Sequence, residues 1–428
     1  MYPFTQFLMS YKADIPKEKL GFLILDVKGN YYEQVLQYAK AFNRLDDIIV
    51  IEVGGKYTYN PLYKPNLKPL VLANQLKSIL LLFSPNNSES YWLDKAETVL
   101  SESLKLCKYY TDNYPTFTEI HRLISSKTYF LEIKDKIREK FLNNSISKDN
   151  YYDLITAFDF FDNEFYSLDE RNMNILKSEI TRITNPFISD KDIEKTFCPS
   201  KENLVFKGFS DVINEGKIVV LNMNINEYRN LSKIIAAYLK IDFQTEVMSR
   251  LSNKPSYMRP VCFISDEYSE YVTINDANFF SQSREAKCIN IIATQSYTSI
   301  LNTLNNKNAS NVIIQNLVNK LWFRSDDIFT IETAQKQIGK TSKKRESHTI
   351  SEGSRETNFN YITNSLNSRN SSISESINTY EQFDYIYDTN FFTQNLETFE
   401  ALGFISTGTK ILPPTKIHLI PYFKQKGD

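Results

Sequence analysis

The sequence predicts an α/β protein with a mainly parallel sheet flanked by helices, and three observations support this prediction. Short apolar runs at residues 20–26, 47–53, 217–223 and 261–264 have the length and composition of strands buried on both faces. Amphipathic segments with helical spacing follow most of these runs, which is the order of βαβ units. A long helical stretch without strand-like alternation interrupts this order, and it predicts an all-helical inserted domain.

The composition is that of an ordinary globular protein. Of the 428 residues, 42% are hydrophobic and 24% are charged, which allows two or three sizeable cores. The net charge is −1, so any contact with DNA would need a local basic patch or an assembled channel. The four cysteines and three histidines are too widely spaced for a metal cluster. No apolar run is long enough to cross a membrane, so we expect a soluble, cytoplasmic chain.

Residues 1–84 predict the first part of the α/β domain. The chain opens with a helix over residues 1–12, followed by a strand that ends at Asp26. A helix over residues 30–43 has its apolar residues on one face, and a second strand follows over residues 47–53. This order is that of a βαβ unit.

Residues 85–200 predict the all-helical insertion. No strand-like alternation interrupts residues 85–185, and Thr116 and Glu119 have the spacing of a capping box that opens a helix. One alternative stays open, because helices that simply cover the sheet would give the same pattern.

Residues 201–341 predict the second part of the α/β domain. Two strands, over residues 217–223 and 261–264, are separated by a long helix over residues 227–251, and a further strand is expected over residues 319–324. Residues 342–378 are rich in Ser, Asn and charged residues and predict a polar, flexible linker. Residues 379–428 predict strands that close the α/β domain.

Polar side chains follow two of the predicted buried strands. Asp266 and Glu267 come after the apolar run over residues 261–264, and Gln295 ends the run that begins at Ile289. Ligands of parallel α/β sheets bind at the carboxyl ends of the strands. An Asp-Glu pair in this position has the form of a Walker B site, in which the Asp holds the Mg²⁺ shell and the Glu orients the attacking water. The alternative is a loop or cap residue, since Asp26 ends another buried strand in the same way.

Further motifs surround this pair in a fixed order. They are Asp26-Val27-Lys28-Gly29 after the first strand, Asn60-Pro61-Leu62, the strand that begins at Gly216, the segment Ser283-Arg284-Glu285, the strand end Ala293-Thr294-Gln295-Ser296, and Trp322-Phe323-Arg324-Ser325-Asp326. In this order the motifs resemble those of the cytoplasmic motor region of TraG/TraD-type coupling proteins, the ATPases of conjugative type IV secretion. The resemblance covers nearly the whole chain.

The resemblance implies a fold, an assembly and a set of partners. The fold would be RecA-like with an all-helical domain at the predicted insertion, and the assembly would be a homo-hexamer. The cofactors would be ATP and Mg²⁺. The partners would be a relaxase–DNA complex, single-stranded DNA and components of the type IV secretion channel, at the cytoplasmic face of the inner or plasma membrane.

The resemblance also implies roles for individual residues. Asp266 would hold Mg²⁺, Glu267 would activate water, and Gln295 would sense the γ-phosphate. Arg284 would act as an arginine finger toward a neighbouring subunit. Asp26 and Lys28, from the D-x-K-G element, would contribute to the cofactor site.

Two features of the family lie upstream of the region that this sequence matches. They are the N-terminal membrane helices and the Walker A phosphate loop, which precedes the helix at residues 1–12. We therefore expect a truncated family member that would not hydrolyse ATP efficiently on its own, because the backbone N–H nest and its Lys are missing. Two alternatives remain: a non-catalytic adaptor that binds relaxase or DNA, and a related DNA-pumping translocase.

Overall fold

The computed structural model describes residues 1–26, 28–29, 31–83, 90–253, 255–352 and 373–420. These residues form two compact units, with the division between residues 318 and 319. The boundary lies within the segment that the sequence analysis assigned to the second part of the α/β domain.

A five-stranded parallel sheet forms the centre of the first unit. Its strands are β1 (Gly21–Leu25), β2 (Ile48–Ile51), β3 (Ile218–Leu221), β4 (Val261–Ser265) and β5 (Cys288–Ile292). Their order across the sheet is β2-β3-β1-β4-β5, and every pairing is parallel. The prediction of a mainly parallel sheet is confirmed. Three of the strands, β1, β3 and β4, are buried at every position, which explains their continuous apolar runs.

Helices cover both faces of this sheet. The helices of the first unit are α1 (Tyr2–Ser10), α2 (Tyr31–Ala41), α3 (Pro69–Leu80), α4 (Ser90–Tyr110), α5 (Phe117–Ser125), α6 (Lys127–Leu142), α7 (Lys148–Asp159), α8 (Glu170–Ile188), α9 (Lys191–Phe197), α10 (Ser210–Glu215), α11 (Ile225–Tyr228), α12 (Asn230–Asn253), α13 (Asn275–Gln282), α14 (Tyr297–Leu304) and α15 (Lys307–Asn316). On one face, Met9 of α1 and Val35 of α2 share a buried cluster with Phe22 of β1. On the other face, α12 packs against Leu23 and Phe263 in a second, larger cluster.

All regular secondary structure within residues 90–197 is helical, including one π-helical segment at Phe160–Phe165 between α7 and α8. This agrees with the helical stretch expected from the sequence, of which residues 85–89 lie outside the described part of the chain. The capping box at the start of α5 is also present, since the Thr116 backbone N–H donates to the Glu119 carboxylate at 2.8 Å. The buried residues of α4 to α9 are continuous with those of α12, and the helices belong to the same compact unit as the sheet.

The second unit contains two smaller antiparallel sheets. Three strands, β6 (Lys320–Trp322), β9 (Glu400–Phe404) and β10 (Thr415–His418), pair in the order β10-β9-β6. Two long strands, β7 (Lys340–Glu352) and β8 (Ile373–Tyr385), pair only with each other. The helices of this unit are α16 (Ile328–Ile338) and α17 (Thr389–Thr393).

The structure corrects two expectations for the second unit. The strand expected at residues 319–324 and the C-terminal strands do not extend the parallel sheet, because β6 and β10 both pair with β9. Apolar alternation identifies a strand but not its partner. Residues 342–352 and 373–378 were expected as linker, but they lie in β7 and β8. The backbones of these two strands bond to each other, while most of their described side chains are exposed, so apolar periodicity gave no signal of the pair. Residues 353–372 of the expected linker lie outside the described residues.

No helix in the described part of the chain is both long and apolar enough to span a membrane.

Candidate functional site

The carboxyl ends of β1, β4 and β5 bring the predicted site residues to one edge of the sheet. Leu25 lies opposite Ser265, and Ser265 lies opposite Ile292. The backbone hydrogen bonds continue one residue further. The Asp266 N–H donates to the Leu25 carbonyl at 2.9 Å, and the Ala293 N–H donates to the Ser265 carbonyl at 2.9 Å. Asp266 and Glu267 therefore lie between the segments that carry Asp26 and Gln295.

The Glu267 carboxylate is held by two neighbours at this edge. It forms an ion pair with the Lys28 ammonium, and the Gln295 Nε2 lies 3.4 Å from each of its oxygens. The Glu267 side chain is 13% exposed, whereas that of Lys28 is 52% exposed. The Glu267 backbone has φ 46° and ψ 45°, in the left-handed region, which non-glycine residues seldom adopt outside turns and functional sites. The chain thus keeps a strained backbone at the residue predicted to activate water.

The Asp266 carboxylate carries an unfavourable negative charge. Burial raises the pKa of Asp266, and the nearby carboxylates Asp26 and Glu267 raise it further, although the Glu267 N–H and Lys28 act in the opposite direction. A divalent cation at this edge would compensate the repulsion between these carboxylates. Burial lowers the pKa of the Met1 amino group, which precedes α1, and the Asp266 carboxylate raises it. A helix N-terminus also favours anionic groups.

The Asp26 side chain makes the contacts of a helix cap. It is 2% exposed, and its two oxygens accept the backbone N–H of Lys28 at 2.8 Å and of Tyr31 at 2.9 Å. These contacts stabilise the turn between β1 and α2 and the start of α2. Asp26 therefore has the capping role that the sequence allowed for an acid at the end of a buried strand. The cofactor-binding role of Asp26 and Lys28 stays a prediction, and Lys28 is the one of the two whose charged group reaches Glu267.

Arg284 lies at the opposite edge of the sheet. It is exposed and follows α13, just before the amino end of β5. Because β5 has five residues and a strand rises about 3.3 Å per residue, ~15 Å of strand separates the end near Arg284 from the end near Gln295. The structure therefore does not bring Arg284 together with Asp266, Glu267 and Gln295 within one chain.

The donor set at the carboxyl edge suits Mg²⁺ in part. Among the described residues, no group of three or more His, Cys, Asp or Glu side chains could hold a metal ion. Mg²⁺ usually keeps several waters and takes one or two carboxylates together with substrate phosphates, so the Asp266 carboxylate can supply its protein contact. The described residues provide few backbone N–H groups for binding phosphates. The sequence between β1 and α2 contains a single glycine, Gly29, and the Lys28 N–H already donates to the Asp26 carboxylate. A glycine-rich phosphate cradle is not found in the described part of this edge.

A buried polar network behind the acid pair was missed by the sequence analysis. Tyr271 donates to the Asp266 carbonyl at 2.8 Å, and Tyr268 donates to Asp276 at 2.6 Å. Asp276 forms a fully buried ion pair with Lys240 of α12. The available signal was Lys240 itself, a charged residue within the apolar segment Ile234–Ile241, because a lysine in such a setting needs a partner.

The parallel sheet, with an acid pair and an amide at neighbouring strand ends, places the chain among α/β proteins of the RecA-like class. Residues 260–382 match the family model described as "TraM recognition site of TraD and TraG". This match covers the acid pair, Arg284 and Gln295, and it supports the resemblance to TraG/TraD-type coupling proteins that the motif order indicated. A comparison with curated protein sequences found no match.

Two solved structures share the fold over most of the chain. One is the bacterial conjugative coupling protein TrwBdeltaN70 in its unbound monoclinic form, with a TM-score of 0.56 and 12% sequence identity, covering 94% of this chain and 78% of that chain. The other is the trigonal form of the same protein in complex with sulphate, with a TM-score of 0.56 and 13% identity, covering 94% of this chain and 79% of that chain. At these identities the likeness concerns the fold alone.

Proposed function

We propose that this chain is the motor region of a conjugative coupling protein, which would recruit a relaxase–DNA complex and, where a phosphate loop completes its nucleotide site, drive the transfer by ATP hydrolysis. The single observation that carries the proposal is the cluster of Asp266, Glu267 and Gln295 at the carboxyl edge of the sheet, where Gln295 lies 3.4 Å from Glu267. The family match over residues 260–382 supports the connection with DNA transfer.

In this proposal each side chain has a role that follows from its position. ATP with Mg²⁺ would supply the phosphoryl group and its charge compensation when bound. Asp266 would accept hydrogen bonds from the metal's water shell, and its raised pKa would fall as the cation compensates its charge. Glu267 would orient the attacking water, and Gln295, which lies 3.4 Å from Glu267, would sense the γ-phosphate. The ion pair between Lys28 and Glu267 would have to open for Glu267 to reach that water.

Arg284 would act outside its own chain. It is exposed and lies at the amino edge of the sheet, so it can stabilise a transferring phosphoryl group only at a neighbouring subunit's site. This role requires the proposed homo-hexamer, and it would make hydrolysis depend on assembly.

A second candidate function is a non-catalytic adaptor that binds relaxase or DNA. Two observations favour it. The ion pair with Lys28 occupies Glu267, and the described residues provide no glycine-rich phosphate cradle at the carboxyl edge. The adaptor would keep the fold and its partners but would show no hydrolysis. A related DNA-pumping translocase is a third candidate, with the same chemistry and no role in secretion.

The DNA-transfer role predicts that single-stranded DNA binds to an oligomer and that salt weakens the binding. The net charge of −1 gives a monomer no overall attraction for phosphates, so basic groups of several subunits would have to be brought together in a channel. Fluorescence anisotropy with a labelled oligonucleotide, on separated monomer and oligomer fractions, would measure this. Binding to the oligomer should fall steeply between about 50 and 200 mM salt. Tight binding by a verified monomer, or binding that ignores salt, would contradict the proposal.

A further inference from the structure

The segment that follows the acid pair is fixed by a buried charged network. Lys240 of α12 and Asp276 of α13 are both 0% exposed and form an ion pair. Lys240 also donates to the Tyr271 carbonyl at 2.6 Å and approaches the Thr273 hydroxyl at 3.3 Å. The lysine therefore joins α12 to residues 271–276 by more than one contact.

The Asp276 carboxylate is saturated with donors. One oxygen accepts the Tyr268 hydroxyl at 2.6 Å and the Thr273 N–H at 3.0 Å, besides the Lys240 ammonium. The other accepts the Gln244 amide at 2.9 Å. A buried charge is tolerated when its hydrogen-bonding capacity is filled in this way.

Two tyrosines connect this network to the acid pair. Tyr268 directly follows Glu267, and its N–H donates to the Ala293 carbonyl at 2.9 Å while its hydroxyl binds Asp276. Tyr271 is fully buried, and its hydroxyl lies 2.6 Å from the Ser265 hydroxyl and donates to the Asp266 carbonyl at 2.8 Å. The backbone on both sides of Glu267 is therefore fixed by contacts of two buried tyrosines.

The network explains how Glu267 can keep a left-handed backbone. Such a conformation is unfavourable for a residue other than glycine and persists only where the surroundings determine it. Apolar side chains of similar volume would fill the same space with equal or greater stability, so stability alone does not require a buried ion pair. The hydrogen bonds of the network have directions, and they specify one path for residues 266–273.

We propose that Lys240, Asp276 and Tyr268 are positioning residues that hold the segment 266–273 so that the Asp266 and Glu267 carboxylates face the carboxyl edge of the sheet. This inference rests on the proposed function for its consequence in metal binding. Its structural part concerns the free protein and stands independently of nucleotide.

The test uses two tyrosine variants with matched chemistry. Tyr268→Phe removes one hydrogen bond to Asp276, and Tyr59→Phe removes the 2.8 Å hydrogen bond that another buried tyrosine donates to Asp242 of the same helix, α12. Both changes are small enough for the chain to fold. The readouts are amide hydrogen exchange of residues 266–273 in the free protein and the Mg²⁺ concentration that gives half-maximal ATP binding.

Tyr268→Phe should speed exchange in residues 266–273 by roughly 10-fold, the equivalent of one hydrogen bond, and should raise the Mg²⁺ requirement by a similar factor. Tyr59→Phe should leave both unchanged. Equal effects of the two variants, or unchanged exchange in Tyr268→Phe, would overturn the inference. A wild-type protein that binds no nucleotide would contradict the proposed function instead, and the exchange result would still decide the positioning role.

Discussion

Glu267→Gln is expected to abolish Mg²⁺-dependent ATP hydrolysis by the assembled protein while ATP binding is retained. The amide keeps the shape of the side chain and can still bond to Gln295, but it cannot accept a proton from the attacking water. A general base contributes about 10²–10⁴-fold to such a rate, so the loss should be at least ~100-fold. The measurement is steady-state phosphate release, with ATP binding followed in parallel.

A matched control lies three residues further along the chain. Glu270 pairs with Lys233 and not with Lys28, so Glu270→Gln changes the charge of the same segment without touching the proposed base. It should leave hydrolysis within about 2-fold of the wild type, because surface ion pairs contribute little. Wild-type rates in Glu267→Gln would contradict the assignment. Hydrolysis that depends on Glu267 would exclude the adaptor function.

Arg44→Met is expected to destabilise the first unit strongly. Arg44 is 1% exposed and lies at the amino edge of the sheet, where it donates to Asp47 at 3.0 Å and to the Leu20 carbonyl at 2.8 Å. A further bond to the Gly216 carbonyl, at 2.5 Å, connects the segments that lead into β1, β2 and β3. Removing one partner of a buried ion pair costs about 3–5 kcal/mol of unfolding free energy. The value should lie near the lower end, because Lys19 also pairs with Asp47.

Equilibrium urea unfolding would measure this loss, with Arg138→Met as the control. Arg138 is half-exposed and lies 3.6 Å from Asp135 on the surface of α6, so its removal should cost less than ~1 kcal/mol. Equal and small losses for the two variants would show that Arg44 does not hold the amino edge together.

The strands of the parallel sheet were predictable because burial on both faces leaves a continuous apolar run. Four of the predicted strands, over residues 20–26, 47–53, 217–223 and 261–264, correspond to β1, β2, β3 and β4, with ends that differ by at most two residues. The order β2-β3-β1-β4-β5 could not be predicted, because continuous apolar runs do not indicate which strands are neighbours. For the same reason the antiparallel pairing of β6 with β9 could not be predicted.

The meeting of Asp266, Glu267 and Gln295 was predictable from one rule, that parallel strands end at a common edge. The exact contacts were not, because they depend on turns and on residues far away in sequence. Lys28, 239 residues before Glu267, reaches it only through the adjacency of β1 and β4. Lys240 and Asp276 escaped prediction because apolar periodicity does not show which buried charges meet.

The most direct measurement of the central claim is the effect of Mg²⁺ on ATP binding by the assembled protein, in the wild type and in Asp266→Asn. Asp266 at the carboxyl edge is proposed to carry the metal's protein contact. Mg²⁺ should therefore tighten ATP binding to the wild type by about 10-fold or more. It should have little effect on ATP binding to Asp266→Asn, because substitutions at a metal site weaken metal binding by about 10–100-fold. An equal effect of Mg²⁺ on both proteins would contradict the account.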